Sequence, residues 1–245
     1  MDKGVRPTMN NETKQVISAL LAGRNYIYSL LHTLLGAEPT AERVAAATGK
    51  AAFDAIAMFD GEDSQAAKLL SAALELMRET PVEDLLREYT KLFLGPEDYI
   101  AAPWESIYTS KERALFQEST LDVRAWFKRF GYVAGGYPNY PDDHISIMMQ
   151  FMALMGAKAN DALIVGEMEV CRNLITAQMQ FAKEHLLNWV FQYARDMQQS
   201  ETSYFYPQLA IALAEFVAYD QQVLSELLEA CEGCGSCASC GGCKA

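Results

Sequence analysis

The chain has 245 residues, 51% of them hydrophobic, and its 20 Lys and Arg stand against 32 Asp and Glu for a formal charge of −12. That length and apolar content suffice for a sizeable core, the acidic balance argues against a nucleic-acid or anionic-lipid partner, and no apolar run approaches the roughly 18 residues of a membrane span. A cationic partner fits the charge better, although acidity also serves solubility. The first residues are polar, and the apolar stretch from Val16 to Ala22 is too short and too soon interrupted by Arg24 for a secretory signal. The expected location is therefore cytoplasmic.

Apolar spacing is helical almost throughout. Ile17, Leu20, Leu21, Tyr28, Leu31 and Leu35 recur at three and four and share one face of a first helix, with Gly36 as its expected C-cap. Pro39 and Thr40 open a second helical segment carrying Val44, Ala47, Ala51, Ala55 and Met58, which Gly61 ends. Leu69, Leu70, Ala73, Leu76 and Met77 mark a third. Thr80, Pro81 and Glu83 fit N-cap, first-turn proline and N3 glutamate, so the hydroxyl and the carboxylate are expected to satisfy orphaned amides. That helix is expected to run through Leu85, Tyr89 and Phe93 to Gly95 and Pro96.

Pro96 to Tyr108 is too aromatic for a disordered linker and too irregular for a long helix, so it reads as a packed surface loop. Thr109 and Glu112 offer a second capping box for a helix reaching about Phe130. The segment 131–141, GYVAGGYPNYP, concentrates helix breakers and makes the best hinge in the chain. A Met-rich helix near Asp142 to Asn160, a long one near Val165 to Met197 and a last one near Pro207 to Ala230 follow. No segment alternates with period two, and all eight prolines fall at predicted ends or loops, so local signals agree on an all-α class.

Asp142, Asp143 and His144 form the most reactive-looking cluster, able in principle to orient an imidazole, bind a metal or exchange protons. A small metal-dependent hydrolase built on them needs further ligands, and only His32 and His185 remain to supply imidazoles. The plainer reading has Asp142 or Asp143 capping the helix that starts there. No HExxH, P-loop, GxSxG or GxGxxG occurs. Catalysis is weakly supported. Met148, Met149, Met152 and Met155 share one helix and read either as core or as an adaptable peptide groove. Trp104, Tyr108, Tyr137 and Tyr140 flank the hinge, where aromatics beside carboxylates suit a peptide of apolar and basic character.

Five of the six cysteines, Cys231, Cys234, Cys237, Cys240 and Cys243, form an uninterrupted C-x-x-C repeat in the last fifteen residues. Thiolates so spaced can converge on zinc or an iron-sulfur centre, which would also make the tail a candidate for metal storage or electron transfer. Against that, four ligands from one tight segment strain a tetrahedron, and a flexible reducible tail is the alternative. A disulfide framework is not expected in a reducing compartment. Cys171, alone in a helix, reads as a small core residue.

Three stretches resemble the TorD/DmsD family of chaperones for molybdenum-cofactor oxidoreductases. They are Glu88-Tyr89-Thr90-Lys91-Leu92-Phe93 with Gly95-Pro96, then Pro103-Trp104-Glu105-Ser106-Ile107-Tyr108, then Pro141-Asp142-Asp143-His144-Ile145 running into Phe151-Met152. The resemblance covers most of residues 15 to 230 and leaves out the cysteine tail. It implies a helical bundle of about eight to eleven helices, a larger N-terminal and a smaller C-terminal part joined by the hinge, and a chaperone domain over residues 1–230 followed by a Cys-rich tail over 231–245. It implies no catalysis and no required cofactor. The implied partners are the apo form of an oxidoreductase catalytic subunit and its twin-arginine leader, with the chaperone assisting cofactor insertion and proofreading before export, as a monomer or a domain-swapped dimer. Trp104, Ser106, Tyr108, Asp143 and His144 match the leader-binding region. Family members usually carry an acidic residue four positions after the histidine, where this chain has Met148, and often another where Gln150 stands. That shifts the expected contacts toward the apolar part of the leader or the mature enzyme.

Overall fold

A computed structural model describes residues 10–59, 64–94, 99–135, 140–201 and 203–232. In chain order the helices are α1 (Asn11–Gly36), α2 (Ala41–Ala47), α3 (Lys50–Ala57), α4 (Gln65–Glu79), α5 (Val82–Tyr89) and a π-helical turn (Thr90–Leu94). They continue with α6 (Glu105–Thr109), α7 (Glu118–Arg129), α8 (Ile145–Val165), α9 (Met168–His185), α10 (Val190–Met197) and α11 (Phe205–Glu232). No strand occurs among the described residues, so the all-α class holds.

The core forms where the apolar stripes meet. Helix α8 lies along α1, while α11 packs across α4, α9 and α10. Met148, Met149, Met152 and Met155 of α8 are buried with Ile17, Leu21 and Leu31 of α1, so the methionines are core and not an open groove. Each such buried side chain contributes roughly 1.5–3 kcal/mol. Apolar residues on both sides of the 131–141 segment, Phe127 and Phe151 among them, join one buried cluster. Their rings lie 4.7 Å apart.

Several helix starts follow local chemistry. Asn10, Thr40 and Ser64 each accept the amide of the residue three positions on, opening α1, α2 and α4. Others do not. Thr80 donates its hydroxyl back to Leu76 O at 2.7 Å and Pro81 takes the N-cap position, so the expected capping box at the start of α5 does not form. Thr109 likewise donates back to Glu105 O. Arg113 and Phe116 have positive φ, which keeps the following segment out of a helix, and α7 begins only at Glu118.

Gly36 is the last residue of α1 and caps nothing in the left-handed conformation. Its place is set by close approach: a Cβ there would lie 2.1 Å from Ser146 Oγ. The long helix expected over 165–197 is two helices, because the chain breaks at 186–189 and Trp189 Nε1 donates to His185 O at 2.7 Å. The expected ends at Gly61, Gly95 and Pro96 lie outside the described residues.

Two buried polar clusters had no sequence signal. Arg24 of α1 pairs with Asp220 of α11, its Nη2 donating to Oδ2 at 2.7 Å, and Tyr28 Oη and Gln178 Oε1 complete the set. Glu88 of α5 accepts the amides of Phe205 and Tyr206, so a carboxylate from one helix caps the first turn of α11.

Candidate functional site

Residues 103–106 and 142–146 meet as a short antiparallel contact. Trp104 and His144 form an isolated bridge, with Ile145 N donating to Pro103 O at 2.8 Å and Glu105 N to Asp143 O at 3.2 Å. Two of the three resemblance motifs are thus joined through backbone, which sequence spacing cannot show.

Asp143 is fully buried and holds the junction together. Its Oδ2 accepts the amide of Ser106 in the first turn of α6 at 2.8 Å, and its Oδ1 accepts the Thr120 hydroxyl of α7 at 2.9 Å. Asp142 Oδ2 accepts from Arg124 Nε at 2.6 Å. Neither carboxylate caps α8; His144 does, its Nδ1 accepting the amide of Ser146 at 3.2 Å. That role requires a neutral ring. Burial, with His32 nearby, pushes the imidazole down to about 3. Ser146 in turn receives a hydrogen bond on its carbonyl from His32 Nδ1 at 2.9 Å and donates its hydroxyl to His32 O.

These bonds engage both oxygens of Asp143, Oδ2 of Asp142 and Nδ1 of His144. Among the described residues no group of three or more His, Cys, Asp or Glu is arranged to hold a metal ion.

What faces outward is aromatic. The Trp104 ring packs edge-on against His144 and against Tyr99, at 5.3 Å in each case, and Tyr140 lies 5.7 Å from His144. Tyr99 and Tyr140 are 42% and 40% exposed, beside exposed Ile100. The indole Nε1 of Trp104 is buried with no hydrogen-bond partner among the described residues. An orphaned buried donor of this kind calls for an acceptor. Burial and the neighbouring tyrosines push the Tyr140 hydroxyl up to about 12, so it stays protonated and can donate.

Of the five residues expected to bind a leader, Trp104, Asp143 and His144 come together. Ser106 joins them through its amide. Tyr108 does not: it stacks on Trp189 at 5.2 Å, away from Tyr99 and Tyr140. Sequence reasoning missed Tyr99, and it missed Glu105, whose carboxylate accepts from His185 Nδ1 and Asn188 Nδ2, each at 3.1 Å. Tyr137 lies outside the described residues, as do Cys234, Cys237, Cys240 and Cys243. Cys231 is buried in the last turn of α11 and hydrogen-bonds with Cys171 of α9. Met148 is core, and Gln150 Oε1 accepts from the Tyr132 hydroxyl at 2.6 Å.

Fold and site define an all-helical protein with a backbone-joined, carboxylate-pinned motif beneath an exposed aromatic patch. The family model described as nitrate reductase delta subunit matches residues 57–195. The chain belongs to that family, as a relative of the TorD and DmsD chaperones. It is 27% identical over 148 residues to the chaperone protein TorD of Aliivibrio salmonicida, covering 60% of this chain and 67% of that one. It is 24% identical over 216 residues to the chaperone protein TorD of Aliivibrio fischeri, covering 85% of this chain and 98% of that one. A protein of Haemophilus influenzae named as a probable Tat proofreading chaperone, DmsD, is 26% identical over 129 residues, 53% of this chain and 56% of its own length. All three relatives are named as chaperones, the DmsD protein as a probable one.

Proposed function

We propose that this chain is a cytoplasmic chaperone that binds the apo form of a molybdenum-cofactor oxidoreductase subunit and its twin-arginine leader, assisting cofactor insertion and proofreading before export. The observation that carries the reading is the Trp104 patch. Tyr99, Ile100 and Tyr140 offer exposed apolar surface for the hydrophobic part of a peptide, and the orphaned Trp104 Nε1 offers a donor for one of its carbonyls. Asp143 and His144 are buried, so they serve by fixing Trp104 and α6 beneath the patch. No described helix is long and apolar enough to cross a membrane.

The chaperone unit runs to the end of α11 at Glu232, past the expected boundary at 230, because Cys231 is buried in the core, and residues 233–245 follow it as the appended tail. This role requires no cofactor. The zinc or iron-sulfur reading of the tail rests on its C-x-x-C spacing, and metal analysis of anaerobically purified protein tests it: stoichiometric metal supports it and metal-free protein removes it.

Affinity capture on the full chain from its native host, with the bound protein identified by mass spectrometry, tests the chaperone reading. A molybdenum-cofactor oxidoreductase catalytic subunit, captured by wild type and lost with Tyr99→Ala plus Tyr140→Ala, is the expected result. Capture of the same proteins by both forms would detach the function from this patch.

A further inference from the structure

By sequence Cys231 opens the C-x-x-C repeat, but the fold gives it a different partner. It sits in the last turn of α11 with its side chain in the core, and it hydrogen-bonds with Cys171 in the first turn of α9. Helices α9 and α11 pack directly on each other. Both thiols are free; Cys171 is fully enclosed and Cys231 is 2% exposed. One buried cysteine is a small core residue. Two whose thiols hydrogen-bond already meet the main geometric demand of a disulfide, side chains directed at each other from neighbouring backbones.

We propose that Cys171 and Cys231 form a reversible disulfide that clamps the end of α11 to α9, made and broken by exchange with a low-molecular-weight disulfide, oxidised glutathione being the probe. The first exchange falls to Cys231. The hydrogen bond with Cys231 and burial hold the Cys171 thiol well above its usual range. Cys231 stands one residue from the end of α11, where a terminal turn opens at little cost. Its thiolate attacks one sulfur of the small disulfide, forming a mixed disulfide and releasing one small thiol. With the Cys231 thiol gone, Cys171 ionises more easily. Its sulfur attacks Cys231 Sγ, breaks the mixed disulfide and expels the second small thiol. Two protein thiols are thus oxidised to one disulfide, one small disulfide is reduced to two thiols, and both protons end on those thiols.

The link joins positions 60 apart in the chain, so it removes much freedom from the unfolded state. It also fixes the base of the tail, because only Glu232 of α11 follows Cys231. A clamped Cys231 is withdrawn from the repeat, which leaves Cys234, Cys237, Cys240 and Cys243 as the tail's own thiols. The pair is remote from the Trp104 patch, since α9 follows α8 through Gly166, at the opposite end of α8 from His144. The clamp therefore stands independently of the leader-binding reading.

The reduced full chain is equilibrated in glutathione buffers of increasing oxidised fraction, quenched with acid, alkylated in denaturant without reductant, and mapped by mass spectrometry. The expected product is a Cys171–Cys231 cross-linked peptide that excess reduced glutathione reverses. The thermal midpoint of the oxidised chain should exceed that of the reduced chain by roughly 5–15 °C. Cys234→Ser, Cys237→Ser, Cys240→Ser and Cys243→Ser together should keep both effects, because the pair is complete without them. Cys171→Ala and, separately, Cys231→Ala should lose both. Cys171 recovered as a free thiol while the tail cysteines are oxidised, or linked to a sulfur other than Cys231, overturns the clamp. A cross-link that leaves the midpoint unchanged overturns it as well.

Discussion

Asp143 caps a helix to which it does not belong: its Oδ2 accepts the Ser106 amide of α6 at 2.8 Å, while His144, next in sequence, caps α8. Asp143→Ala strands that amide and the Thr120 hydroxyl in a buried place. Bonds to a buried charge contribute about 1.5–3 kcal/mol each, so urea unfolding should show a loss of about 3 kcal/mol, with Asp143→Asn costing less. A loss below about 0.5 kcal/mol would mean that the junction does not depend on this carboxylate.

Gly36 and Ser146 mark where α1 and α8 come closest at one end. Gly36→Ala places a methyl 2.1 Å from Ser146 Oγ, with the hydroxyl held by His32, and overpacking of this kind costs about 1–3 kcal/mol. In a double-mutant cycle, Ser146→Ala should cost less in the Gly36→Ala background than in wild type. Strict additivity would show that the backbone yields instead.

The Arg24–Asp220 pair is fully buried on both sides. Removing one partner leaves an uncompensated charge, so Asp220→Ala should destabilise by about 3–5 kcal/mol, whereas replacing both residues with apolar ones should cost much less. Chemical denaturation of the two forms decides. Equal losses would show that the pair's value lies in more than mutual neutralisation.

His144 makes stability acid-sensitive in a defined window. Its folded value of about 3 lies below the ordinary 6.5, so the unfolded chain takes up the proton first and stability falls as pH drops from 6.5 toward 3. The slope from this one group is up to about 1.4 kcal/mol per pH unit. His144→Asn keeps a cap acceptor and cannot titrate. It should therefore lose less stability than wild type between pH 6.5 and 4, and parallel profiles would contradict the assignment.

The helical class was readable because apolar spacing is local: Ile17, Leu21 and Leu31 declare their face within a few turns. Caps were readable only where the side chain had no better partner. Thr40 caps as expected, but Thr80 and Thr109 turn back to carbonyls of the preceding helix, a competition that short motifs do not resolve. Gly36 was noticed for the wrong reason, since the neighbour that demands it is 110 positions away in the chain. The site was half legible. Trp104, Asp143 and His144 carry the resemblance, yet the burial of Asp143, the exposure of Tyr99 and Tyr140 and the pairing of Glu105 with His185 depend on contacts between distant segments.

The central claim is that the aromatic surface over Trp104 binds the leader of a twin-arginine-exported oxidoreductase. Calorimetric titration of the full chain with such a leader, for wild type and for Tyr99→Ala plus Tyr140→Ala, tests it most directly, with circular dichroism confirming that both forms keep their helices. Wild type should bind with a negative heat-capacity change from apolar burial, and the double variant should bind at least about tenfold more weakly, or about 1.4 kcal/mol. Equal affinity in the two folded forms, or no binding by wild type, would contradict it.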